Sequence, residues 1–387
     1  MHSSTTYDAI VVGLGPAGST AAYEIARAGR TVLALDRDRF PRYKVCGGGI
    51  SARVDALLGG VHRKVVEQTV SVMTFRYCGQ EAFTVGGRDP IASFVMRDRF
   101  DAVLAERAAR AGACLQDGEP VISVEETAEG VQVVTPTATY RARFLVGADG
   151  ANSRIARRIN PAPSRGVYGL EAEIALPNGS NEVILEMGAV PGGYGWIFPK
   201  QKGMSIGIGG FRVPDRQPKA AFERFAALQS GLRDVALTTP VGHPIPIYAK
   251  GGRVASARVG LVGDAARLVD PFFGEGIYYG ILSGERLGQT IAHQLDHGGV
   301  DLSAYVRWVE ADLAPEFAVA DRLAAIAYGY PRLWYEAMRA HPDVVGWFFD
   351  VLRGTSRFQD LWARLRRHVF RLAPAALVGR AAALFAR

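Results

Sequence analysis

Gly13-Leu14-Gly15-Pro16-Ala17-Gly18 follows the apolar run Tyr7-Asp8-Ala9-Ile10-Val11-Val12, and together these residues decide the fold. The run reads as a buried strand. Its glycines then let the strand turn tightly into a helix and let an anionic pyrophosphate approach the helix N-terminus. Thr31 to Leu35 reads as the next strand, and Asp36, with Arg37 after it, stands where a carboxylate grips a ribose hydroxyl. A tight turn with no ligand is the plainer reading of a lone glycine fingerprint. The strand before it, the helix after it and the acid beyond it favour a bound dinucleotide.

A second glycine-rich segment separates FAD from NAD. It reads Gly260-Leu261-Val262-Gly263-Asp264-Ala265-Ala266 and continues through Pro271 to Gly274-Glu275-Gly276-Ile277. FAD carries a ribityl chain whose hydroxyls need an acceptor, and Asp264 at a strand end suits that task. Gly274 and Gly276 open another helix, whose free N–H groups would face the flavin pyrimidine edge and stabilise negative charge there. A simple helix cap is the plainer role for Asp264, but it leaves the pair of segments unexplained.

The 387 residues allow two or three domains, and a 48% hydrophobic composition is ample for a core. Cys46, Cys78 and Cys114 are odd in number and scattered, which argues against disulfides, zinc or an iron–sulfur cluster and for a reducing, cytoplasmic setting. No charged-then-apolar leader precedes the first strand, and no run nears the roughly 18 apolar residues of a membrane span. The formal charge of +7 is modest and lacks the aromatic-interleaved basic motif of a nucleic-acid binder. An anionic cofactor or membrane surface accounts for it.

The expected fold is α/β: a Rossmann-like FAD-binding domain with a parallel sheet, a second, mainly antiparallel substrate domain and a helical C-terminal region. Residues 1–65, 96–165 and 256–298 form the three parts of the first. Residues 66–95 and 166–255 supply the second, and 299–387 the helices, broken at Pro315, Pro331, Pro342 and Pro374. Phe144 to Gly147 reads as a buried strand ending in Asp149-Gly150, cofactor-facing by position. Near the end, Phe358, Leu361, Leu365, Val369 and Leu372 recur at helical spacing beside arginines, with no acid after Asp360. That stripe suits a peripheral membrane contact as well as it suits packing on the protein.

The glycine loop, Arg97 with Phe100-Asp101, Asp149-Gly150 and Gly263-Asp264 resemble the para-hydroxybenzoate-hydroxylase superfamily of flavoproteins. Lys44-Val45-Cys46-Gly47-Gly48-Gly49 and Pro191-Gly192-Gly193-Tyr194-Gly195-Trp196-Ile197-Phe198-Pro199-Lys200 resemble the geranylgeranyl reductase family within it. The likeness covers about residues 7 to 285. It implies FAD-dependent saturation of isolated prenyl double bonds, with NADPH or reduced ferredoxin as electron donor. It implies pyrophosphate contacts at Gly13, Gly15, Pro16, Ala17 and Gly18, adenosine contacts at Asp36, Arg37 and Arg97, and ribityl or flavin contacts at Asp149, Gly263, Asp264, Gly274, Gly276 and Ile277. Cys46, Gly47 and Gly48 would approach the isoalloxazine. Tyr194, Trp196, Phe198 and Pro199 would meet a prenyl lipid, with Cys46, Tyr194 and Trp196 the catalytic candidates. Val45 and Gly49 depart from the proline and alanine of chlorophyll-pathway members, which favours the archaeal-lipid or quinone-like branches or a general prenyl reductase.

Tyr194, Trp196 and Phe198 alternate, so a strand presents all three on one face. Pattern alone favours an ordinary aromatic core, and the resemblance turns it toward a substrate wall. Pro199 is expected to end the strand. Lys44 and Lys200 read as solvated lysines, His243 as a hydrogen-bonded turn histidine, and Glu275 as an acid at a helix N-terminus. Two other functions use the same FAD motifs: an aromatic monooxygenase, without the tyrosine–tryptophan–phenylalanine segment, and a flavin electron carrier or redox sensor.

Overall fold

The computed structural model describes residues 6–79, 82–161, 166–176, 181–210, 218–229 and 237–372. The chain opens with β1 (Thr6–Val12), α1 (Pro16–Arg27), β2 (Val32–Asp36) and the short β3 (Gly49–Ser51) and α2 (Val54–Leu58). Next come β4 (Val66–Val70), β5 (Val72–Tyr77), β6 (Ala82–Gly86), β7 (Ala92–Val95) and α3 (Arg97–Arg110). β8 (Cys114–Asp117), β9 (Ser123–Glu126), β10 (Val131–Val134), β11 (Thr139–Gly147) and α4 (Arg154–Ile159) follow.

β12 (Gly166–Ala175), β13 (Ile184–Met187), β14 (Gly193–Lys200), β15 (Gly203–Gly210), α5 (Pro218–Ala227) and β16 (Val241–Pro246) make up the second half of the β structure. β17 (Val259–Leu261) returns to the first sheet and leads to α6 (Ile277–Asp296). The helices α7 (Ser303–Trp308), α8 (Ala314–Gly329), α9 (Pro331–Ala340), α10 (Pro342–Arg353) and α11 (Phe358–Leu372) close the chain.

The first sheet runs β8-β2-β1-β11-β10-β9, with β17 also on β11. Its central strands are parallel, and β1 from Ala9 and β11 from Phe144 are apolar and buried. The strand expected at Phe144 to Gly147 begins earlier, at Thr139, and its outer edge is shared. β10 pairs antiparallel with its first half through Ala142, and β17 pairs parallel with its second half from Leu145. Against this sheet α1 lies on α6 at close range: a Cβ on Gly288 would sit 2.6 Å from the Glu24 Cβ.

The second sheet runs β16-β12-β15-β14-β13-β5-β6, antiparallel except for β5 beside β13. A three-stranded sheet, β3-β7-β4, joins the two and was not anticipated from the sequence. The strand carrying the aromatics does not stop at Pro199 but runs on through Lys200, with Pro199 opposite Met204. Pro199 has by then passed the start of β13, so its missing N–H costs no ladder bond on that side.

In the C-terminal region Pro331 and Pro342 each open a helix. Pro315 does not break one: α7 runs on into α8 through a π-helical turn, Val309–Leu313, and the proline sits just after that turn, where the widened ladder accommodates its missing N–H. Phe358, Leu361 and Leu365 are buried against Leu323, Phe348 and their neighbours, so this part of the arginine-flanked stripe is spent on packing. The side chains of Val369 and Leu372, and Pro374 itself, lie outside the described residues. Among the described residues no helix is long and apolar enough to cross a membrane.

Candidate functional site

One cavity of about 1030 Å³ runs from the first glycine loop, past Asp264, to the aromatic face of β14 and on to helices α8, α9 and α10. At its first end Gly13 has φ +100, which an L side chain rarely adopts, and a Cβ there would press on the Ala148 carbonyl. This end of the cavity is lined by Gly13, Gly15, Pro16 and Ala17. Gly18 lies behind the loop and serves close packing, since its Cβ would fall 2.9 Å from the Ala148 Cβ.

Asp36 is buried and shapes the loop directly, accepting Leu14 N–H at 2.7 Å and Asp38 N–H at 3.0 Å while still lining the cavity. Arg37 is exposed at the rim, paired with Asp38 at 3.5 Å. Asp149 also lines the cavity, but its carboxylate caps α4, taking Arg154 N–H at 2.8 Å and the Ser153 hydroxyl. Arg97 stands on the Asp101 carboxylate at 2.8 and 2.9 Å, and Arg42 reaches the same acid at 3.0 Å. The Arg97 guanidinium borders Cys46, which places it at the middle of the cavity. Arg42, beside Gly15, was not singled out in the sequence because no motif spacing marks it.

The second segment supplies the far wall. Asp264 is half-buried and faces the cavity. Burial pushes its carboxyl up, opposed by the charges of Lys44 and Arg97. Gly263, Gly274, Gly276 and Ile277 line the same stretch, with Gly276 at the head of α6. Glu275 is more than a helix-terminal acid: it is buried, pairs with Arg53 and accepts the Ser51 hydroxyl. Asp270 ties the turn, accepting Phe272, Phe273 and Glu275 N–H groups at 2.8–3.0 Å. Its carboxyl is pushed up to about 6 by burial and by Glu275.

Across the cavity Tyr194, Trp196 and Phe198 share one face of β14, with ring centroids 6.2 and 6.0 Å apart in sequence order. Ile197 points the other way into the sheet's own core, and Pro199 shares that face outside the cavity lining. Cys46, Gly47 and Gly48 oppose the aromatics, and this loop is firmly packed: a Cβ on Gly47 would lie 2.8 Å from the Phe198 ring. Gly48 has φ +66 and its N–H points at the Cys46 sulfur, 3.4 Å away.

Lys200 is buried rather than solvated, donating to Gly47 O at 2.8 Å and Val95 O at 2.9 Å. Lys44 lines the cavity and donates to His243 Nε2 at 2.8 Å, and burial lowers the affinity of its amine for a proton. His243 belongs to strand β16, not a turn. Burial and then the Lys44 charge push it down to about 4, so it is neutral and accepts that bond. The sequence also gave no sign of Glu171, buried on β12 and lining the cavity.

The apolar end is built largely by elements without a motif. Tyr328, Trp334, Phe348 and Phe349 of the C-terminal helices meet Met73 and Phe75 of β5 around it. Tyr194 links the two regions, donating to Phe273 O at 2.7 Å and stacking on Tyr328 at 5.9 Å.

The FAD binding domain family matches residues 6–178. A menaquinone reductase of Mycolicibacterium smegmatis is 32% identical over 352 residues, 84% of this chain and 85% of its own. A geranylgeranyl diphosphate reductase of Rhodobacter capsulatus is 33% identical over 304 residues, 76% of each chain. The chain belongs to the geranylgeranyl reductase family. Its fold is that of a geranylgeranyl bacteriochlorophyll reductase-like protein from Thermoplasma acidophilum, at TM-score 0.75 and 24% identity over 83% of this chain and 88% of that one. Members of the family are FAD-dependent oxidoreductases, and the residues here fit that cofactor. Gly15 faces open space, where a Cβ would meet only the Arg42 guanidinium at 3.9 Å, Asp264 faces inward, and one cavity joins them to the aromatic face.

Proposed function

We propose that this flavin-dependent oxidoreductase saturates isolated double bonds of a geranylgeranyl or other polyprenyl chain. The observation that carries the reading is the continuity of the aromatic face of Tyr194, Trp196 and Phe198 with the apolar end under α8 to α10. An isoprenoid offers no polar handle and is held by shape, which such a wall supplies. Geranylgeranyl diphosphate and menaquinone, the substrates named for two relatives, have a polyprenyl chain in common.

Bound FAD, reduced by NADPH or ferredoxin, would supply hydride. The chain's own residues bind, orient and exclude water. Gly13, Gly15, Pro16 and Ala17 take the pyrophosphate, Asp36 and Arg37 the adenosine side, and Asp264 the ribityl hydroxyls. Gly274, Gly276 and Ile277 would border the pyrimidine edge, and Cys46 and Gly47, the glycine packed on the Trp196 and Phe198 rings, would border the isoalloxazine. The protein works in the cytoplasm, meeting its lipid at a membrane surface. In this reading residues 1–65, 96–165 and 256–298 serve FAD and 66–95 with 166–255 the substrate, while the helices of 299–387 serve the substrate cavity.

The test is anaerobic. Dithionite-reduced protein mixed with a geranylgeranyl lipid should be reoxidised and give product two hydrogens heavier per bond. Failure of every prenyl substrate, with oxygen-dependent product from an aromatic compound, would replace the reading by a monooxygenase.

A further inference from the structure

Saturating an alkene takes a proton as well as a hydride, and the cavity's polar hydrogens are mostly committed. The Tyr194 hydroxyl is held by Phe273 O, the Trp196 N–H points to Ser205 Oγ at 3.3 Å, and Lys200 is held by two carbonyls. His243 is neutral, with Nε2 filled by Lys44.

Glu171 differs. It stands on β12 opposite Gly207 of β15, 3% exposed, and its Oε1 accepts the Ser205 hydroxyl at 2.8 Å. A Cβ on Gly207 would run into the Trp196 indole, so bare backbone at that position lets the ring lie across β15 next to the acid. Trp196, Ser205 and Glu171 thus form one hydrogen-bonded chain, with Trp196 and Glu171 both in the cavity wall.

Resting on the prenyl-reductase reading, we propose that Glu171 is the proton donor of the reduction, giving its carboxyl proton to the alkene carbon that does not receive hydride. The alkene π pair forms a C–H bond with that proton, and the carboxyl O–H breaks to leave a carboxylate. Hydride from an anionic dihydroflavin forms the second C–H bond, so the flavin is oxidised by two electrons and the alkene reduced by two. Solvent returns the proton to Glu171.

Its surroundings suit both states. Burial pushes the carboxyl up to about 7, so the acid holds a proton near neutrality. The Ser205 hydroxyl and the charges of Lys200 and Lys44 stabilise the carboxylate left behind. Glu173 on the same strand, Tyr43 and Cys46 on the facing loop, His243 on β16 and Arg97 beyond Lys44 complete the titratable and charged groups around it.

The decisive comparison is Glu171→Gln against Glu171→Asp in anaerobic single-turnover reoxidation, with FAD content measured on each. The Gln variant should keep its FAD and slow by roughly 100-fold or more. The Asp variant should recover part of the rate. The parent rate should fall as pH rises through about 7, and the Gln variant should lose that dependence. Independently of activity, infrared titration of the parent should show a protonated-carboxyl band that is absent from the Gln variant.

Ser205→Ala keeps the acid but removes its hydrogen bond, so the pH midpoint should move upward. A Gln variant at the parent rate, a missing band at pH 6, or a midpoint unmoved in Ser205→Ala would overturn the proposal alone. A parent inert toward every prenyl substrate overturns the reading beneath it as well.

Discussion

Gly47 and Phe198 are locked together across the cavity: a Cβ on the glycine would lie 2.8 Å from the ring, and the glycine's carbonyl takes a hydrogen bond from Lys200. Gly47→Ala must therefore push the loop or the ring aside. We expect a loss of about 1–3 kcal/mol in denaturant unfolding, as for other overpacked sites. Single-turnover reduction should slow while FAD is retained. An alanine variant with unchanged stability and rate would show that the loop yields freely.

Asp264→Ala should lose FAD. A charge-assisted hydrogen bond to a buried hydroxyl contributes about 1.5–3 kcal/mol, or roughly 10- to 100-fold in Kd. Titrating apoprotein with FAD measures it, and parent affinity in the variant would remove Asp264 from the cofactor site.

Tyr194→Phe and Trp196→Ala should separate. The tyrosine hydroxyl bonds a main-chain carbonyl, so its removal should cost about 0.5–1.5 kcal/mol of stability and leave reduction near the parent rate. Loss of the indole opens the wall that positions the alkene, and should slow reduction far more than it weakens FAD binding. A Tyr194→Phe enzyme that binds lipid but no longer reduces it would give the tyrosine hydroxyl a part in the reaction.

His243 makes a pH prediction. Its folded-state affinity for a proton is depressed from the ordinary 6.5 to about 4, so between these values the unfolded chain binds more protons. Its contribution is present above pH 6.5 and is lost as pH falls toward 4. Relative to His243→Gln, the parent should lose stability between pH 7 and pH 5 in urea unfolding. A parent that instead gains on the variant over this window would mean that the histidine is protonated when folded.

Much of the FAD half was legible because its signals are local. The apolar runs of β1 and β11 need no tertiary information, and the loop glycines answer to steric demands a few residues away. Leu170, Ala172 and Ile174 alternate with Glu171 and Glu173, so β12 could also be read as two-faced. Its acidic side reads as solvent-facing, yet Glu171 turns to the cavity, because only the folded sheet decides what covers each face. Lys200 was misread for a similar reason: one of its acceptors, Val95 O, lies 105 residues away. The helices α8 to α10 carry no motif, and their role at the cavity arises from where they dock.

The shared edge of β11 has a consequence for biosynthesis. A nascent chain that has emerged only through β11 has a glycine loop but leaves half of that strand's border bare. α1 at that stage still lacks the helix against which it closes. Both gaps are filled by β17 and α6, which end at Asp296. Cofactor capture thus belongs to the last quarter of translation, and any frameshift or nonsense truncation before α6 should yield a colourless chain with exposed strand edges, a target for chaperones and proteases.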